Sequence, residues 1–259
     1  MIELNTIYNE DCMEGMKRIP DGSVDCIICD LPYGTTRNAW DSVIPLDELW
    51  VQYKRIIKER GAIVLFSQMP FTPVLAMSNI KMLKYEWIWE KPMATGFLNS
   101  KFAPMKSHEN ILVFSKSAAC FVKNEIDAMV YNPQMRSGKP YSTYRSGSMK
   151  SSNYDFNNIK PCKTVNDGSQ YYPRDVITFS LDKDKFHPTQ KPVSLLKYLV
   201  LTYSNKGDTI LDNCIGSGTT ALACIDTGRN FIGFEKEKKY FDIAMQRIAQ
   251  MKQQPKLDF

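Results

Sequence analysis

Apolar positions in this chain fall into two rhythms that alternate from one end to the other. Nearly continuous apolar runs at residues 24–29, 61–66, 209–211 and 231–234 read as strands buried on both faces, as in a parallel sheet. Between them, Leu46, Leu49, Trp50, Tyr53, Ile56 and Ile57 recur at helical spacing across residues 45–58. Residues 70–80, 193–203, 219–227 and 238–251 read as further helices. A short strand at 6–9 and a turn or two of helix at 12–18, closed by Pro20-Asp21-Gly22, open the chain. Residues 83–89 and 110–114 read as the strands of a hairpin around a loop at 91–107. Strands alternating with helices predict an α/β fold: a mostly parallel, doubly wound, Rossmann-like sheet covered on both faces.

Two of the predicted strands end on polar motifs. The run at 24–29 is followed by Asp30-Leu31-Pro32-Tyr33-Gly34, which sets a carboxylate, a backbone carbonyl and a ring at the lip of the sheet. Pro32 restricts Leu31 to extended backbone, so the Leu31 carbonyl has a fixed direction. Such a cluster can accept hydrogen bonds from a planar amino group while stacking on its ring. By itself the pentapeptide reads equally well as a strand end with a proline turn. The second motif, Asp212-Asn213-Cys214-Ile215-Gly216-Ser217-Gly218-Thr219-Thr220, joins a strand to a helix, and the next strand ends on Glu235. Glycines let backbone approach a ligand at the carboxyl edge of a sheet, and an acid one strand along suits the two hydroxyls of a ribose. That describes a nucleoside-containing cofactor. Gly216-x-Gly218-x-x-Ala221 also fits the relaxed dinucleotide fingerprint, but too little chain follows it for the second half-fold of a nicotinamide enzyme.

Together the motifs resemble those of the beta-class DNA amino-methyltransferases, which use S-adenosylmethionine to methylate an exocyclic nitrogen of adenine or cytosine. Asp30-Leu31-Pro32-Tyr33 looks like the family's Asp-Pro-Pro-Tyr signature, and residues 212–220 look like its Asp-Pro-Phe-x-Gly-Ser-Gly-Thr-Thr loop. His187-Pro188-Thr189-Gln190-Lys191-Pro192 is similar to the segment before that loop, and the order of the motifs matches the permuted beta class. Leu31, Asn213 and Cys214 depart from the pattern. Leu31 keeps the carbonyl and gives up some rigidity, and the other two loosen cofactor packing.

The resemblance implies a seven-stranded methyltransferase sheet with an inserted target-recognition region. Residues 1–114 would form the catalytic half, 115–186 the insertion and 187–259 the cofactor-binding half. It implies that Asp30 and the Leu31 carbonyl accept the N–H bonds of a flipped-out adenine in double-stranded DNA, with Pro32 and Tyr33 against the base. Phe66, Trp40 or Phe97 would form the opposite wall. S-Adenosylmethionine would be held by Asp212, Gly216, Gly218, Thr219, Thr220 and Glu235, with Asp11 and Cys12 near its adenine. For Asp11 a helix N-cap is the alternative reading. His108-Glu109 is read as structural or DNA-facing. Asp at the first motif position, where cytosine-N4 enzymes usually carry Ser, favours adenine N6. The alternatives are cytosine N4 and, further off, an RNA or protein-glutamine acceptor. A homodimer is allowed for, and a restriction partner stays unknown.

Composition narrows the partners. The 259 residues carry a net charge of +5, and residues 115–186 concentrate it with eleven Lys/Arg against seven Asp/Glu. Ten aromatics are interleaved there, so Arg136, Lys139, Arg145 and Lys150, with His187 just beyond, are candidate DNA contacts. No apolar run approaches a membrane span and no basic-then-apolar leader opens the chain, so a cytoplasmic protein is expected. Seven cysteines, an odd number, suggest reduced thiols. Cys26-x-x-Cys29 falls within a strand, where residues three apart face opposite sides; both are expected to be buried, and no metal site is expected.

Overall fold

The computed structural model describes residues 2–34, 43–120, 127–146, 160–184, 186–187 and 189–253. Strands and helices alternate as β1 (Thr6–Tyr8), α1 (Cys12–Met16), β2 (Val24–Asp30), α2 (Leu46–Ile56), β3 (Ile57–Ser67), α3 (Phe71–Ser78), β4 (Leu83–Thr95) and β5 (Lys106–Ser115). After β6 (Tyr141–Arg145), β7 (Cys162–Asn166) and β8 (Val176–Thr178) come α4 (Val193–Tyr203), β9 (Thr209–Asp212), α5 (Thr219–Thr227), β10 (Asn230–Phe234) and α6 (Lys238–Gln253). Eight strands form one sheet in the order β1-β10-β9-β2-β3-β5-β4-β8. The first five in that order run parallel, and β5 runs antiparallel to both β3 and β4.

The sheet has one strand more than the seven expected, because Val176–Thr178 pairs with β4 at the edge. Three residues with one buried side chain carry too little periodicity to be read from sequence. β3 also begins four residues early, at Ile57. Val24 lies opposite Ile57 while Cys26 lies opposite Ala62, so the extra residues are taken up in a bulge.

The period-two alternation of β2 divides the core. Cys26 and Ile28 pack on the side of Leu195, Leu199 and Ala223, from α4 and α5. Ile27 and Cys29 pack on the other side with Met16, Leu49 and Tyr53, from α1 and α2. Cys26 and Cys29 thus face opposite ways, both buried, and all seven cysteines are free thiols. Burying a side chain such as Ile28 or Leu49 contributes roughly 1.5–3 kcal/mol.

Residues Pro133–Arg174 form a compact unit of their own. In it β6 and β7 pair antiparallel, Tyr141 opposite Asn166 and Arg145 opposite Cys162, and nearly every residue of this ribbon is exposed. Arg136 and Tyr171 exchange backbone hydrogen bonds of 3.0 and 2.8 Å. Among the described residues no helix is long and apolar enough to cross a membrane.

Candidate active site

Strand order decides what meets at the carboxyl edge of the sheet. β1, β10, β9 and β2 lie side by side, and the chain leaves them through Asp11, Glu235, the Gly216 turn and Asp30 respectively. All four features line one cavity of about 350 Å³, within the size range of small-molecule sites.

The Gly-rich turn is held open by its own bonds. Gly216 has φ 53, and a side chain there would meet only the edge of His187, 4.0 Å away, so its backbone is bare toward the cavity. Its N–H donates to Glu235 Oε2 at 2.9 Å, while Glu237 N–H donates to Oε1 at 2.7 Å. Burial raises the Glu235 carboxyl above its ordinary range, and these backbone donors oppose the rise. Asp212 accepts the Thr220 hydroxyl at 2.5 Å and the Cys214 N–H at 3.1 Å. Burial pushes its carboxyl up to about 7. The Thr219 hydroxyl accepts from Arg247 at 3.2 Å. Both threonine hydroxyls are therefore engaged inside the protein. Gly218, at φ 83, is not among the lining residues; it caps α5, and a Cβ there would sit 2.9 Å from Ala244 of α6.

On the β1 side, Asp11 caps α1 by accepting the Met13 N–H at 2.9 Å, and it lines the cavity as well. Cys12, also in the wall, has its thiol lowered chiefly by a hydrogen bond with Cys214. Asn213 fills the position of the family's proline and uses its amide to knit the floor. It accepts the buried Tyr53 hydroxyl at 2.5 Å and donates toward the sulfurs of Cys12 and Cys214 at 3.7 and 3.5 Å.

The other half of the cavity is built on Asp30. Tyr33 donates its hydroxyl to Asp30 Oδ1 at 2.5 Å, and its ring packs 5.4 Å from that of Phe71. Leu31 buries its side chain in the core, which pins the motif where the family has a proline. Lys191 donates to Asp30 Oδ2 at 2.5 Å. Its ammonium lies 3.3 Å from Glu109 Oε2 and 5.1 Å from the centre of the Phe66 ring, and Lys91 pairs with the other Glu109 oxygen. Glu109 Oε2 is buried and has no hydrogen bond of good geometry among the described residues, and the Lys191 ammonium 3.3 Å away is its nearest counter-charge. Burial raises the Asp30 carboxyl; Lys191 opposes the rise and Glu109 adds to it. Burial works against the charge on Lys191, but Asp30 and then Glu109 outweigh it and hold the ammonium above its ordinary value. Burial alone would raise Glu109 as well; Lys191 and Lys91 carry it below the carboxylate range. Two ammoniums against two carboxylates leave no buried charge alone.

Sequence reasoning gives no place in the site to Lys191, which figures only in the segment before the Gly-rich loop, or to Glu109, read as structural or DNA-facing, yet both line the cavity. The available signal was a lysine set between Gln190 and Pro192 directly before an apolar helix, and a glutamate closing the polar start of a buried strand. Phe66 lines the cavity, whereas Phe97 is exposed on the β4–β5 hairpin and is not among the lining residues. Trp40 and Lys150 lie outside the described residues. His187 is in the cavity wall against Tyr240, with ring centres 4.1 Å apart. Burial, then Lys191 and Lys239, push it down to about 4, so it is neutral at pH 7 and offers no charge to a phosphate. Arg136, Lys139 and Arg145 lie in the compact unit, where Arg136 sits 5.4 Å over the Tyr171 ring.

The doubly wound sheet with its antiparallel β5 matches the fold of solved methyltransferases. The comparisons narrow that class. The sequence pattern of the N6_N4_Mtase family, described as DNA methylase, matches residues 24–246, and the chain belongs to this family. The chain is 29% identical to the DNA adenine methyltransferase YhdJ of Escherichia coli (strain K12), over 95% of this chain and 83% of that one. It is 29% identical to the Type II methyltransferase M.HinfI of Haemophilus influenzae, over 97% of this chain and 70% of that one. The crystal structure of an M1.HpyAVI–SAM complex superposes with a TM-score of 0.60 at 26% identity, covering 93% of this chain and 98% of the other. The cytosine-N4-specific PvuII DNA methyltransferase gives 0.66 at 12% identity, covering 100% and 89%, a likeness of fold alone. The protein is a DNA methyltransferase of this family, and its methyl donor is S-adenosylmethionine.

Proposed function

We propose that the protein methylates the N6 amino group of an adenine flipped out of duplex DNA. The observation that carries this reading is the Asp30 carboxylate at the lip of the cavity that also holds the Gly216 turn and Glu235. A carboxylate and a backbone carbonyl on one extended segment suit a planar amino group. An aspartate at that position, where cytosine-N4 enzymes usually carry serine, favours adenine.

The residues present fit the cofactor. The bare backbone at Gly216 admits a ligand chain, and each Glu235 oxygen, holding one backbone donor, keeps a lone pair for a ribose hydroxyl. Asp11 and Cys12 would stand at the purine. When bound, S-adenosylmethionine supplies an electrophilic methyl group on sulfur. The chain's own part is positional and electrostatic. An adenine amino nitrogen is a weak nucleophile because its lone pair is delocalised into the ring. Accepting its two N–H bonds at Asp30 and the Leu31 carbonyl favours the pyramidal nitrogen that can attack. Lys191 and the Tyr33 hydroxyl keep the Asp30 carboxylate ionised and aimed. Burial raises that carboxyl, which suits it to take the proton shed by the methylated nitrogen.

In this reading residues 115–186 supply target recognition, with Arg136, Lys139, Arg145 and Lys150 on phosphates, and the protein acts in the cytoplasm. The test is expression in a methylation-free host, followed by nucleoside mass spectrometry and single-molecule mapping of the modified motif. N6-methyladenine in one short motif is expected. N4-methylcytosine would overturn the choice of base, and unmodified DNA would overturn the acceptor altogether.

A further inference from the structure

The β4–β5 hairpin runs on past the sheet edge that carries Asp30. Phe66 of β3 lies opposite Asp30 on one side and Ile111 of β5 on the other, and Ser67, the last residue of β3, lies opposite Asn110. Residues 91–106 are thus beyond the end of β3, on the cavity side, with Glu109 at the hairpin's base in the cavity wall. At the tip, a short helical turn at Phe97–Asn99 and the bend after it present Phe97, Leu98 and Phe102, which are 74%, 92% and 89% exposed. Single exposed apolar residues need no explanation, but three large ones crowded on one protrusion mark an interaction site.

The charge around them points to the partner. Residues 91–106 hold no carboxylate, and of their lysines Lys91 is paired with Glu109 while Lys101 and Lys106 stand nearer the tip. Lysines draw phosphates, and Phe and Leu side chains can enter between base steps, so a cationic finger with an apolar end suits duplex DNA. A second copy of the chain fits less well, because two such tips would bring like charges together. We propose that this tip is a wedge that enters duplex DNA beside the target base and holds open the gap the flipped base leaves. The inference rests on the DNA-methylating reading above.

The test replaces Phe97, Leu98 and Phe102 together by Ser, with Phe102→Ser alone as a milder variant. Substrates are a duplex carrying the mapped motif and the same duplex with an abasic site opposite the target base. A base without a partner is easier to flip. On the paired duplex kcat/KM is expected to fall roughly tenfold or more, and on the abasic duplex to stay within about threefold of the parent. S-Adenosylmethionine affinity, measured by titration, should be unchanged. Equal loss on both duplexes, or loss on neither, would overturn the wedge. So would a parent dimer that the substitutions split in sedimentation, which would make the tip a self-association face. A parent that methylates neither duplex overturns the DNA reading and the wedge with it, whereas an active parent with an equally active variant overturns the wedge alone.

Discussion

Lys191 and Asp30, 161 residues apart in the chain, form a 2.5 Å ion pair in the wall of the cavity. The pair joins the segment before α4 to the end of β2, so the acid proposed to receive the substrate comes with its own counter-ion. Lys191 is almost wholly buried, with a side-chain exposure of 7%, while Asp30 keeps 23% because it faces the cavity. Asp30 feels the charges of Lys191 and Glu109, and the neutral hydroxyl of Tyr33 donates to it.

Replacing Lys191 by Met is expected to move the acid limb of the kcat–pH profile upward. In the proposed reaction methyl transfer needs the Asp30 carboxylate ionised, so activity falls as pH drops through its pKa. Removing the ammonium removes the largest influence holding that pKa down. Glu109→Gln should move the limb the opposite way, because Glu109 raises Asp30. The loss at neutral pH for Lys191→Met should be roughly tenfold or more, matching the ~1.5–3 kcal/mol of a hydrogen bond to a charged group. Opposite displacements in the two variants, with cofactor affinity unchanged, separate electrostatic tuning from loss of structure.

Asp30→Ala should abolish methyl transfer and leave S-adenosylmethionine binding nearly intact. A contact strengthened in the transition state costs ~3 kcal/mol or more when removed. Transfer surviving within about tenfold of the parent would remove Asp30 from its role.

Glu235→Ala and Gly216→Val should both weaken S-adenosylmethionine binding in isothermal titration. The first leaves the Gly216 and Glu237 N–H groups without their acceptor and takes away the carboxylate proposed to hold the ribose. A loss of ~1.5–3 kcal/mol is expected for it. The second puts a β-branched side chain at φ 53, where the backbone is strained, and fills the bare face of the turn. Unchanged affinity in both would place the cofactor elsewhere.

Asp212→Asn should stabilise the protein more at pH 8 than at pH 5. Burial holds the folded-state carboxyl at about 7, against an ordinary value of 3.8. Below the ordinary value both states are protonated; between about 4 and about 7 the unfolded chain gives up its proton first, so stability falls as pH rises through that window. Asn keeps an oxygen for the Cys214 N–H, turns its amide N–H toward the Thr220 hydroxyl, which can accept, and removes the titration. Melting temperatures of parent and variant across the range should diverge upward, and parallel curves would refute the assignment.

The sequence by itself determined the alternation of elements, the helices α4 and α5 to the residue, and the two motifs at strand ends. Each of these is written locally: apolar runs and helical spacing set the elements, and glycines and prolines set where they stop. Tertiary structure alone decided who faces whom. Lys191 is one cation among 33 Lys/Arg until strand order brings it to Asp30 and Glu109. The Thr219 and Thr220 hydroxyls read in sequence as cofactor contacts or as helix caps, and only the fold joins them to Arg247 and Asp212 while keeping both residues in the cavity wall. β8 is three residues long and gains its place only from an open edge on β4. Pairings between distant segments leave no mark on local periodicity, because they depend on the register of the sheet and on burial, which makes an unmatched charge costly and so selects its partner.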